Sequence, residues 1–173
     1  MKASTFWKTV VSDDSDFLAR IVDLLTKTGI RYAVIGGQGV NAYVDPVVSL
    51  DLDVAVALDQ LDLAESALRS NFKVERFEHS LNVSAPGSDL RLQIQTDPRY
   101  GEFVSRSNER EVLGWNLQVA DVADVLQGKI WAASDPTRRG SKRQKDLADI
   151  SRLVEAFPEL SELIPEDIRT RLF

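Results

Sequence analysis

The order of hydrophobic periods along this 173-residue chain predicts an α+β fold: a mixed sheet flanked by helices, followed by a helical C-terminal region. Three observations carry it. Short alternating or apolar runs suited to strands, interleaved with helical stripes, fill roughly the first 120 residues. From Asp121 onward the period changes to that of amphipathic helices. No repeat, low-complexity run or Pro/Gly-rich linker separates the two stretches, so 1–120 and 121–173 read as one compact unit.

Taken in order, Asp16 to Lys27 places Phe17, Leu18, Ile21, Leu24 and Leu25 on one helical stripe, with Gly29 as the stop. RYAVI (31–35) is a short buried strand ending at Gly36-Gly37. A helix over roughly Gln38 to Val44 must finish before Pro46. LDLDVAVAL (50–58) alternates, with Leu52, Val54, Val56 and Leu58 on one side and Asp51, Asp53, Ala55 and Ala57 on the other. Asp59 is placed to cap a helix over about Gln60 to Ser70. KVERF (73–77), LNVSA (81–85) and DLRLQIQT (89–96) read as strands, the last two divided by a turn at Pro86-Gly87. DPRYGEFVSRS reads as a helical turn and NLQVA (116–120) as a brief strand. Two helices follow, Asp121 to Ala133 and Lys142 to Phe157, with a short third after Pro165.

Composition narrows the chemistry. The chain has no cysteine and one histidine, which excludes disulfides and thiolate metal sites and leaves little scope for a histidine-rich zinc centre. The opening MKASTFWKTVVSDD lacks the apolar run of a signal peptide, and no segment approaches the roughly 20 apolar residues of a membrane helix, so a cytoplasmic protein without membrane contact is expected. A net charge of −6 argues against nucleic-acid binding by the surface as a whole. RRGSKRQK (Arg138 to Lys145) is the exception, with five cations and no acid.

Asp51 and Asp53 flank one leucine, so in a strand they share a face. Paired carboxylates on one face suit a hard cation such as Mg²⁺, which takes one or two carboxylates together with substrate phosphates. A Gly-Gly turn ahead of a helix offers backbone amides that can approach a phosphate closely. Phosphate at one strand end and its metal on the next strand make a phosphoryl-transfer arrangement. A rival reading takes Gly37-Gln38-Gly39-Val40-Asn41-Ala42 as a relaxed dinucleotide fingerprint with Asp59 downstream. That reading requires a full crossover helix, which Pro46 shortens, and leaves Asp51 and Asp53 unexplained.

Gly36-Gly37, followed by Ser49 and Asp51-Leu52-Asp53, resembles the signature of the polymerase-β-like nucleotidyltransferase superfamily. The form YAVIGGQGVNAY…SLDLDVAV, with the tail KIWAASDPTRRGSKRQKDLADISRL, is most similar to the minimal bacterial enzymes and to AbiEii-type nucleotidyltransferase-like toxins. The resemblance implies metal-dependent transfer of an NMP from an NTP to a hydroxyl acceptor, with Mg²⁺ (or Mn²⁺) as cofactor. It implies that Gly36 and Gly37, with Ser49, hold the triphosphate, that Asp51 and Asp53 hold the metal, and that Lys129 and Lys145 neutralise phosphate charge. It also implies a third carboxylate on a later strand. DLRLQIQT presents Arg91, Gln93 and Gln95 there instead, with Asp97 and Asp89 at its two ends; Asp97 is the candidate. The alternative is an NTP-binding module that lacks the third acid and has lost transfer. A toxin–antitoxin component acting on RNA is a further reading, with an RNA or protein acceptor near Arg138–Lys145.

Single residues with blander roles complete the reading. His79 is expected at the surface, and Trp7, Trp115 and Trp131 in core or subunit contacts. Asp146 and Asp149 are expected to pair with Arg143 and Arg152 rather than to bind metal.

Overall fold

The computed structural model describes residues 12–172. Helix α1 (Ser12–Lys27) leads into β1 (Tyr32–Ile35), the short α2 (Gly36–Asn41) and β2 (Asp51–Val56). A 3₁₀ turn (Leu58–Gln60), α3 (Leu61–Arg69), β3 (Lys73–Arg76), β4 (Ser80–Ser84) and β5 (Arg91–Gln95) follow. After a second 3₁₀ segment (Pro98–Phe103) come β6 (Asn108–Val112), β7 (Trp115–Val119), α4 (Val122–Ser134), α5 (Gly140–Ala156), a 3₁₀ segment (Pro158–Leu163) and α6 (Glu166–Leu172).

The strands form one mixed sheet in the order β3-β4-β5-β2-β1-β7-β6. β2 runs antiparallel to β1 and parallel to β5, and β1 runs parallel to β7. This is the expected α+β architecture. The antiparallel β1–β2 pair rules out the dinucleotide-fold rival, whose first two strands run parallel. Asp59, the acid that reading needed, instead forms an exposed ion pair with Arg31. It does not cap α3 with its side chain either: the 3₁₀ turn it occupies precedes that helix.

Strand alternation sorts the interior into two layers. Val34, Leu52, Val54, Val56, Leu92 and Ile94 point to one face and pack against Phe17, Leu18, Ile21 and Leu25 of α1 and Ala64 and Leu68 of α3. Ala33, Ile35 and Ala55 point the other way, against Val125, Leu126 and Ile130 of α4 and Leu147, Ile150 and Leu153 of α5. The C-terminal helices therefore share a core with the central strands, on the face that also carries Asp51 and Asp53. Small residues on that face, Ala33 and Ala55, let α2 and α4 sit close to the sheet; a Cβ on Gly39 would already press on Val125 at 3.2 Å.

β6 has no counterpart in the sequence reading. Four of its five residues, NEREV, are exposed, so no apolar alternation marks it. It is an edge strand held by pairing with β7, and its charges discourage pairing with another chain. The link is a tight turn with positive φ at Leu113 (54°) and Gly114 (84°), the backbone signature of a two-residue hairpin connection. Trp131 packs in an aromatic cluster with Tyr100 and Phe103, whereas Trp115 is 36% exposed. Trp7 lies outside the described residues. His79 is exposed, as expected.

Candidate active site

β2 fixes the central pair. In register, Asp53 lies between Ile35 of β1 and Gln93 of β5, and Asp51 lies beside Arg91. The recess over this part of the sheet has a volume of about 210 Å³. Gly36, Gly37 and Ser49 border it on one side, and Gln93 and Gln95 on another. Lys129 and Tyr100 also line it, as do Arg138, Lys142, Lys145 and Asp146 around the head of α5. Of the residues expected at the site, the structure brings together Gly36, Gly37, Ser49, Asp51, Asp53, Lys129 and Lys145.

Gly36 is required by the backbone and by the carboxylate. Its φ is +64°, and a Cβ built there would lie 2.2 Å from Asp53 Oδ2. The missing side chain is what lets the turn close over Asp53. Gly37 is unlike it: a Cβ there would meet only Ser49 Oγ, at 3.8 Å, so its space opens to the recess.

Asp53 Oδ1 is enclosed and has no hydrogen-bond partner. Burial raises the Asp53 pKa above the ordinary carboxylate value; Lys129 opposes the shift and Asp51 adds to it. A buried, unpaired carboxylate oxygen is costly unless an ion or donor meets it. Two oxygen-donor side chains with one orphaned oxygen between them fit a hard divalent cation such as Mg²⁺ or Mn²⁺. Among the described residues no group of three His, Cys, Asp or Glu is placed to share an ion, so further ligands would have to come from phosphate or water.

Lys129 is almost fully buried in the recess floor, 3.1 Å from Asp146 Oδ1 and 2.7 Å from Asp149 Oδ2. Burial opposes its charge, but Asp149 and Asp146 outweigh that and hold its pKa above the ordinary lysine value. Asp146 also accepts from Arg138 Nε at 2.6 Å, and Asp149 pairs with Arg152 at 2.8 Å. Of the partners expected from sequence, Arg152 is correct for Asp149, while Asp146 takes Lys129 and Arg138 rather than Arg143. Local spacing favoured an i−3 neighbour, whereas the close α4–α5 packing supplies a buried ammonium.

Asp97 stands apart. It lines a neighbouring recess of about 430 Å³ with His79, Arg99, Trp131 and Asp135, and does not join Asp51 and Asp53. Its side chain accepts from Arg99 N at 3.0 Å, capping the 3₁₀ segment, and pairs with the Arg99 guanidinium at 2.8 Å. Those contacts hold its pKa below the usual carboxylate range. The two recesses share Gln95, Tyr100, Ala132 and Arg138. Burial pushes the Tyr100 hydroxyl up to about 12, so it stays protonated on that shared wall.

Gln38 and Asn41 were not singled out from sequence. Gln38, 2% exposed, donates to Ser49 O at 2.9 Å. Asn41 donates to Val47 O at 2.7 Å and accepts from Val47 N at 3.0 Å. These amides pin the Pro46–Ser49 loop and so set the entry of β2. The sequence shows only a glutamine between two glycines ahead of Asn41; the burial that gives these amides their role comes from the packing.

No family model matches this chain, and no curated protein matches it. Solved structures do. The antibiotic-resistance factor ANT(2'')-Ia matches with a TM-score of 0.63 at 12% identity, over 91% of this chain and 94% of that one. Lincosamide antibiotic adenylyltransferase LnuA, with lincomycin bound, matches with a TM-score of 0.55 at 12% identity, over 83% and 98%. An antigenic nucleotidyltransferase-like protein from Paracoccidioides brasiliensis matches with a TM-score of 0.53 at 18% identity, over 84% and 77%.

Two outcomes test this geometry. Gly36→Ala should cost about 1–2 kcal/mol from the left-handed backbone alone and more from displacing Asp53, while Gly37→Ala should leave stability within about 1 kcal/mol, both read by urea unfolding. Because the native-state pKa of Asp53 lies above its unfolded value, metal-free stability falls as pH rises through that interval and stays reduced above it. Asp53→Asn should therefore raise the metal-free Tm at pH 7, and the gain should vanish once the pH is below the unfolded pKa of an aspartate. A lower Tm at pH 7 would mean that Asp53 is satisfied in the native state. The chain thus has the fold of the nucleotidyltransferases it resembles.

Proposed function

We propose that the protein transfers an NMP from an NTP to a hydroxyl acceptor. The observation that carries this reading is Asp53: its Oδ1 is buried without a partner, its Oδ2 lies under the Gly36 turn, and it lines one recess with Asp51 and four cations. Asp51 and Asp53 would hold Mg²⁺ or Mn²⁺, which supplies charge neutralisation for the phosphates when bound. Gly37 leaves its backbone open to a triphosphate, and Arg138, Lys142 and Lys145 supply positive charge around it. Lys129 contributes to the same field from the floor, its ammonium fixed by Asp146 and Asp149. In the reaction the acceptor oxygen bonds to the α-phosphorus as the bond to pyrophosphate breaks, and the hydroxyl proton passes to water. Gln93 and Gln95 offer amides to orient the acceptor; neither can take its proton.

That absence supports a second reading, a module that binds NTP without transfer. Asp97, the expected third acid, is engaged by Arg99 in the neighbouring recess. For the acceptor, Arg138, Lys142 and Lys145 border the recess itself, which favours using them on the triphosphate rather than along an RNA strand. ANT(2'')-Ia has been solved with adenylyl-2''-tobramycin, and that match covers most of both chains. A small hydroxyl-bearing acceptor is therefore the favoured reading, and an RNA acceptor in a toxin–antitoxin setting the alternative.

Calorimetric titration of each of the four NTPs, with Mg²⁺ and with EDTA, tests the donor half. The expected result is metal-dependent binding of at least one NTP, weakened at least about tenfold by Asp53→Asn, the loss of roughly 1.4 kcal/mol or more. No binding of any NTP would remove both readings. Binding followed by labelled NMP appearing in bulk tRNA would favour the RNA acceptor.

A further inference from the structure

Asp51 already has a cation. Arg91, its register partner on the parallel strand β5, places Nη2 2.9 Å from Asp51 Oδ1. Both side chains reach solvent, with 68% of the Arg91 side chain and 40% of that of Asp51 exposed, so the pair can open without disturbing the core. Asp53 has no such neighbour: its register partners are Ile35 and Gln93. The two carboxylates that would share a metal are therefore unequal, one orphaned and one occupied.

The surroundings sharpen the contrast. Three carboxylates line the recess, Asp51, Asp53 and Asp146, against four cations, Lys129, Arg138, Lys142 and Lys145. Asp146 is committed to Lys129 and Arg138. A bare divalent ion would share Asp51 with the Arg91 guanidinium on Oδ1, or displace it, while facing those cations. A triphosphate changes the balance, because its negative charge meets the cations and its oxygens complete the ion's shell.

We infer that Arg91 is a built-in counter-cation competing with the metal for Asp51, so that the site takes its divalent ion together with a triphosphate and only weakly alone. This rests on the reading of Asp51 and Asp53 as the metal pair. Arg91 acts here through Asp51, as a positioning residue, and need not touch the nucleotide.

The probe is Mn²⁺, followed by loss of the free-ion paramagnetic resonance signal, without and with saturating inorganic tripolyphosphate. Without tripolyphosphate, Arg91→Gln should bind Mn²⁺ about threefold more tightly than wild type, the scale of an exposed ion pair. Arg91→Lys, which keeps the charge, should stay close to wild type. With tripolyphosphate, wild type should bind Mn²⁺ at least about tenfold more tightly than the protein binds it alone, beyond the uptake of tripolyphosphate without protein, because the four recess cations then face an anion. Equal or weaker Mn²⁺ binding by Arg91→Gln, or no gain from tripolyphosphate, would overturn the inference while leaving the metal pair intact. If wild type and Asp53→Asn take up Mn²⁺ equally in both conditions, the metal-pair reading itself fails, and the inference falls with it.

Discussion

The close approach of Gly36 to Asp53 is the constraint on which the rest of the site depends. Only a residue without Cβ fits between the turn and the carboxylate, and only the left-handed backbone brings the turn back over β2. Given that contact, Gly37 and Ser49 come to one side of the carboxylate pair and the amides of β5 to another. Gln38 and Asn41 then fix the loop that delivers Asp51. The energetic cost is concentrated at Asp53, whose buried oxygen is left without a donor. Residues held in unfavourable environments cluster where function needs them, and stability is obtained elsewhere.

Here it is obtained from the two layers of core. The α1 and α3 layer packs apolar side chains against the sheet, and no described residue of these two helices lines the recess. The opposite layer is where stability and chemistry meet, because α4 and α5 pack on the sheet and also carry Lys129, Asp146 and Asp149. That network places three buried charges on two helices. Breaking it by removing one partner would leave an uncompensated charge in the interior, a severe penalty compared with losing an exposed pair. The floor of the recess is thus held by buried ion pairs, while the Arg91–Asp51 pair beside it is exposed.

Much of this was legible in the sequence, and the reasons for the exceptions are physical. The α+β class, β1, β2, β5 and the C-terminal helices announce themselves because each has an apolar stripe of definite period. Strand β6 does not, since its exposed residues carry no such stripe and its pairing comes from the turn at Leu113-Gly114. At the site, glycines and paired aspartates were visible because their chemistry is local to a few residues. The Lys129–Asp146 pair spans 17 positions and two helices, so only packing reveals it. Asp97 continued the alternation of β5 on paper, but the strand ends at Gln95 and the chain turns into a 3₁₀ segment that Asp97 caps.

The claim that Asp51 and Asp53 form a metal–triphosphate site is tested most directly by a crystal structure grown with Mn²⁺ and the NTP that binds best, using anomalous scattering to locate the ion. The reading requires a manganese peak at ligand distance from Asp53 Oδ1 and an Asp51 oxygen, with the triphosphate over Gly36-Gly37. A triphosphate bound elsewhere, or a manganese ion not touching Asp53, would contradict it.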